Sequence, residues 1–243
     1  MANECFLGAA VSKTADEAGL QTAYGIFKSE ALDMNEDYQP KTVNTDGWLA
    51  TKKAWKYLFP YIKVIECFLH AILGIRNVAT KKTSALFSEI LDKAWNAYQA
   101  ETLASFAQRL RRLREWATKL EKTKLRDKLL KLCKKKEFFT DAYHHKTAHR
   151  TSNMVDRLMN GMERFIYSAR YFHTTSKSAE KLMRSYVLIY NFSPSCPQTI
   201  KKYDGKISPA ERLNRFKYHD KWLHNLLISA SRNGYRNFPH NTL

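Results

Sequence analysis

The chain has 243 residues, 44% hydrophobic and 13% aromatic, enough apolar side chain for a sizeable core and too much for a wholly disordered polypeptide. Forty-one lysines and arginines against 23 aspartates and glutamates give a net charge of +18, which favours a polyanionic partner, nucleic acid first and an anionic membrane surface second. No stretch approaches the roughly 20 apolar residues of a spanning helix, and the scattered Cys5, Cys67, Cys133 and Cys196 have neither disulfide-framework nor zinc-knuckle spacing, which suits a reducing cytoplasm.

Cys5 to Val11 is apolar, follows no basic segment and is too short for a secretory signal, so it is predicted to be a buried strand. Thr14 with Glu17 three residues on announces a helix carried by Leu20, Tyr24, Phe27 and Ala31 and ending near Asp33. Thr42-Val43-Asn44-Thr45 reads as a strand with Asp46-Gly47 at its exit. A helix from Trp48 to Phe59 stops before Pro60, and residues 62–69 read as the next strand. This alternation suggests an α/β sheet.

Between Ser84 and Lys136 the apolar residues recur every three to four positions without glycine or proline, which predicts two or three uninterrupted helices. Residues 138–143 are expected to return the chain to the sheet. Helices follow from Met154, from Ser178 to Tyr190, at Ser208-Pro209-Ala210-Glu211, and from Tyr218 to Arg232, closed by Gly234.

Asp46, at a strand exit, stands where ligand groups gather in open sheets, although Asn44-Thr45-Asp46-Gly47 also suits a plain turn. Asp156 lies three residues after Asn153 near a helix start, where a carboxylate also complements the helix dipole. Glu163, seven residues on, is its rival. Cys67-Phe-Leu-His70 resembles half of a zinc site without a second half, and a buried cysteine packing as a small hydrophobe is the blander alternative.

The basic run is more specific. From Arg109 to Lys136, thirteen lysines and arginines face only Glu115, Glu121 and Asp127, so more than half of the chain's surplus sits in 28 positions. Such a run is either a solvated face or a nucleic-acid contact, and one-signed charge this dense repels itself unless a polyanion neutralises it. Arg109, Arg111, Arg112, Arg114, Lys119, Lys122, Lys128, Lys134, Lys135 and Lys136 are the candidate contacts. The sequence has no glycine-rich phosphate loop, Gly-x-Ser-x-Gly elbow or kinase signature.

Four segments together, Thr42-Val-Asn-Thr-Asp-Gly-Trp48, Cys67-Phe-Leu-His70, Arg150-Thr-Ser-Asn-Met-Val-Asp-Arg-Leu-Met159 and Ser208-Pro-Ala-Glu-Arg-Leu213, resemble prokaryotic DDE/DDD transposases with a Mutator-like arrangement. In that group the second acid ends a strand, a Cys-x-x-His motif lies on the next strand, and a helical insertion precedes the third acid. The resemblance implies an α/β fold, helix-rich overall, built on an incomplete ribonuclease-H-like (retroviral-integrase-like) sheet with a large all-helical insertion. Residues 1–80 and 138–192 would form the catalytic domain, 81–137 the basic insertion and 193–243 a carboxyl-terminal helical extension.

By the same resemblance Asp46 and Asp156 are the second and third acids, supported by Cys67, His70 and Asn153. They would hold Mg²⁺ or Mn²⁺ for cleavage and strand transfer on DNA, both element ends and target. The pattern departs from the group at the amino terminus, where residues 1–12 offer only Glu4 in place of an aspartate-bearing first strand. The chain is therefore expected to be a truncated transposase, inactive alone, cytoplasmic, without a membrane partner and with homo-oligomerisation open. The rival expectation is a non-enzymatic, helical nucleic-acid-binding protein.

Overall fold

The computed structural model describes residues 4–145, 148–151, 153–170 and 175–231, without the side chains of Met34, Asn153 and Met154. Its elements in chain order are α1 (Glu17–Met34), β1 (Thr42–Thr45), α2 (Leu49–Leu58), β2 (Lys63–Glu66), α3 (Phe68–Arg76), α4 (Ser84–Tyr98), α5 (Leu103–Thr118), α6 (Lys124–Lys134), α7 (Lys136–His144), α8 (Asn153–Ser168), α9 (Ser176–Phe192), α10 (Pro197–Lys202), α11 (Pro209–Asn214) and α12 (Trp222–Ser231). The described chain is thus helix-rich with a small parallel sheet. Among the described residues no helix is long and apolar enough to cross a membrane. Two compact units divide it, residues 39–153 in one and residues 1–38 with 154–243 in the other.

In the unit of residues 39–153, β1 and β2 pair in parallel with Thr42 opposite Lys63 and Thr45 opposite Glu66. Parallel neighbours need a crossover, and α2 supplies it. The strand read over residues 62–69 ends at Glu66: the Cys67 amide still donates to Thr45 O at 2.7 Å, but Phe68 N turns to Arg150 O and α3 begins. Cys67 and His70 consequently lie at the cap and first turn of a helix rather than on a strand.

The predicted helices of the basic stretch are three, α4, α5 and α6. Their apolar spacing buries Ile90, Ala94, Phe106, Leu110, Leu113, Leu125, Leu129 and Leu132 in one core with Phe68, Ile72 and Ile75 of α3. Thr102 and Thr123 cap α5 and α6 by accepting from Ser105 N and Arg126 N. The Arg126 guanidinium donates to Ala117 O and Thr118 O, satisfying carbonyls that the end of α5 leaves open.

Residues 138–143 do not rejoin the sheet; they form α7. Phe139 and Ala142, one turn apart, are buried, and α7 packs against β2. A short aromatic stretch satisfies helical as well as strand spacing, and here its backbone bonds close within the helix.

In the other unit the segment predicted as an opening strand, Cys5 to Val11, is irregular. Among the described residues no strand lies beside it; instead the Asn191 side-chain amide takes both backbone groups of Phe6, accepting from its N at 2.9 Å and donating to its O at 2.8 Å. A buried amide thus does here what a neighbouring strand would do. The Phe6 ring meets Tyr186 and Tyr190 edge-on.

Asp16 rather than Thr14 caps α1, accepting from Gly19 N at 2.8 Å, with Thr14 donating its hydroxyl to the same carboxylate. The Ser208 signal is obeyed: Ser208 Oγ accepts from Glu211 N, Pro209 stands first in the helix, and Glu211 reaches back to Ile207 N. The last helix begins at Trp222, later than Tyr218, and its predicted end at Arg232 and Gly234 lies outside the described residues.

Candidate functional site

Asp46 stands one residue beyond the carboxyl end of β1. It is exposed, and its Oδ1 accepts from Trp48 N at 2.9 Å, so it closes the turn that starts α2. Turn-former and strand-edge acid are therefore the same residue.

Glu66, directly across from Thr45 at the end of β2, was not among the sequence candidates. Its side chain is only 3% exposed, with Lys52 Nζ 2.6 Å from one oxygen and Lys135 Nζ 2.7 Å from the other. A buried carboxylate is costly unless both oxygens find donors, and two ammonium groups supply them. Lys52 also sits 4.5 Å above the Phe138 ring.

Gly47, between Asp46 and α2, holds φ at +91°, and a Cβ there would fall 2.8 Å from Glu66 Oε2. The glycine therefore serves the backbone turn and the close approach to Glu66 together.

The segment before α8 is fixed beside the same edge. Asn44 Nδ2 donates to His149 O, while Asn44 Oδ1 is buried without a hydrogen-bond donor among the described residues. Arg150 lays its guanidinium 4.3 Å from the Tyr98 ring and 4.6 Å from Tyr143, and donates to Ala100 O. Tyr143 also donates to Ala100 O, and burial pushes its phenol up despite the nearby arginine.

Cys67 is buried at the cap of α3 and His70 is partly buried on its first turn. Asp156 is partly buried on the first turn of α8, and Glu163 is exposed further along that helix. Asp46 belongs to one compact unit and Asp156 to the other. The Asn153 side chain lies outside the described residues.

Among the described residues no three His, Cys, Asp or Glu side chains gather as a metal site. The carboxylate oxygens of Asp46 and of Asp156 are each the kind of donor a hard cation takes.

The basic residues sort into classes that a sequence cannot separate. Arg109 donates to Asn96 O at 2.7 Å and Lys135 to Glu66, so both already have partners within the chain. Arg111, Arg114 and Lys136 line an open groove along α5 whose wall also holds Ser105, Gln108 and buried Cys133. Burial pushes the Cys133 thiol up to about 12, with Arg114 opposing the shift, so that wall is chemically quiet. Arg112, Lys119, Lys122, Lys128 and Lys134 are exposed.

Scans of protein-family models, curated proteins and solved structures find no match to this chain.

Proposed function

We propose that the chain is a DNA transposase, or a piece of one, of the acidic-triad, ribonuclease-H-like kind, with Asp46 and Asp156 as two of its acids and DNA as its partner. The observation that carries the reading is the place of Asp46: an exposed carboxylate immediately beyond a parallel strand, in a strand-helix-strand-helix order followed by a basic helical module. The Cys67-to-His70 motif follows the next strand at once, and Asp156 opens the helix after that module. Asp46 and Asp156 would each offer a carboxylate to magnesium or manganese, which would supply the Lewis acidity such phosphodiester chemistry needs. With two acids assigned rather than three, little or no turnover is expected of this chain.

The second reading, a non-enzymatic DNA- or RNA-binding helical protein, is favoured by one observation, the concentration of exposed positive charge on α5 and α6. Phosphate contacts provide affinity in both readings, so binding alone does not separate them. Nicking of supercoiled plasmid incubated with the full chain in Mg²⁺ or Mn²⁺ would, because only the first reading supplies it. Bound but intact plasmid is expected of both, and the cation then separates them: only the first reading needs one at Asp46 and Asp156. Nicking abolished by Asp46→Asn would keep the transposase and overturn its inactivity; nicking indifferent to Asp46→Asn and Asp156→Asn would overturn the assignment of the acids.

A further inference from the structure

The groove along α5 adds a location to the DNA partnership proposed above, on which it rests. Arg111 and Arg114 are three residues apart and so share a face of α5, while Lys136 opens α7 on the other side of the groove. Among the described residues no acidic side chain lines it. Glu115 is 3.5 Å from Arg111 Nε, and both members of that pair are more than 60% exposed, so water competes strongly with it. Three cations around one concavity repel each other until an anion lies between them, and the buried Cys133 thiol in its wall carries no charge to offset them.

We propose that this groove seats the sugar-phosphate backbone of duplex DNA, with Arg111, Arg114 and Lys136 on phosphates and Ser105 and Gln108 as neutral hydrogen-bond partners. The wall chemistry favours a duplex over a single strand. Single-strand grooves provide aromatic platforms for unstacked bases, and among the described residues no aromatic ring lines this one. Its contacts instead suit the outside of a helix, where phosphates hold the protein in place without reading sequence.

The test is fluorescence anisotropy with the full chain and a labelled random-sequence duplex DNA at several salt concentrations. Two triple variants lose equal charge: Arg111→Gln/Arg114→Gln/Lys136→Gln in the groove and Lys56→Gln/Lys81→Gln/Lys82→Gln at exposed positions elsewhere in the same unit. Circular dichroism confirms that both fold. The groove triple is expected to weaken binding tenfold or more, and to lower the slope of log affinity on log salt by about 2.7, the counterions of three phosphates; the control triple is expected to cost less than about threefold.

Equal losses in the two triples would overturn the groove and leave diffuse attraction, with the DNA partner intact. Tighter binding of a single strand or of duplex RNA than of duplex DNA would overturn the occupant. No binding of any of these by the wild-type chain at low salt would remove the DNA partner itself, and the functional reading with it.

Discussion

Gly47 and Glu66 carry the local logic of the strand edge. With φ at +91° and a Glu66 oxygen 2.8 Å from any added Cβ, Gly47→Ala both strains the backbone and displaces a carboxylate that two lysines hold. It is expected to destabilise the chain by about 1–3 kcal/mol, read as a lower urea midpoint at unchanged slope. The turn at Asp46-Gly47 was legible from residue type and position. Glu66 was not, because in Lys63-Val-Ile-Glu66-Cys-Phe it reads as one polar residue inside an apolar run, and its two lysine partners, Lys52 and Lys135, come from distant positions. The cysteines give a second residue-scale expectation. Cys196 is exposed, and the Thr199 hydroxyl lowers its thiol below the usual range, whereas Cys5, Cys67 and Cys133 are buried. A disulfide reagent should therefore titrate one thiol quickly in the native chain and the other three only after unfolding.

At the scale of elements, the helices that bury one face are held by packing rather than by propensity. Leu129 of α6 is fully buried in the core shared by α3, α4, α5 and α6, and Leu129→Ala should cost about 3–5 kcal/mol through lost burial and the cavity left behind. Chemical denaturation checks it; a cost below about 1 kcal/mol would mean that α6 is not packed as described. These helices could be read in advance because three turns of apolar periodicity leave no competing pattern. Shorter stretches could not. Residues 138–143 fit a strand as well as a helix by spacing, and what settles them is the face that Phe139 and Ala142 present for burial. Cys5 to Val11 is as apolar as a strand, but a strand needs a neighbour, and the Asn191 amide that takes its place at Phe6 is 185 positions away. The helical start at Cys67 likewise depends on Arg150 O receiving the Phe68 amide, a long-range bond that residue spacing does not encode.

At the scale of the molecule, alkaline solution should destabilise both units. Burial pushes Cys5 in one and Cys133 in the other up to about 12, and raises Tyr38, Tyr143, Tyr186 and Tyr190 as well. A group raised in the folded state contributes stability that is complete below its unfolded value and disappears as pH climbs toward the folded one. For the thiols the loss therefore begins near pH 9 and continues toward 12. The urea midpoint should fall between pH 8 and pH 10, with each thiol accounting for roughly 1 kcal/mol.

The same scale carries the central claim, that Asp46 and Asp156 are acids of a cation-dependent DNA enzyme. Its most direct test is electron paramagnetic resonance of Mn²⁺ titrated with the 243-residue chain, in which bound ion is lost from the sharp aqueous signal. The account predicts weak binding that Asp46→Asn and Asp156→Asn each reduce at least tenfold, while Asp92→Asn, at an exposed position on α4, leaves it unchanged. Mn²⁺ bound equally well by wild type and by both acid variants would contradict it.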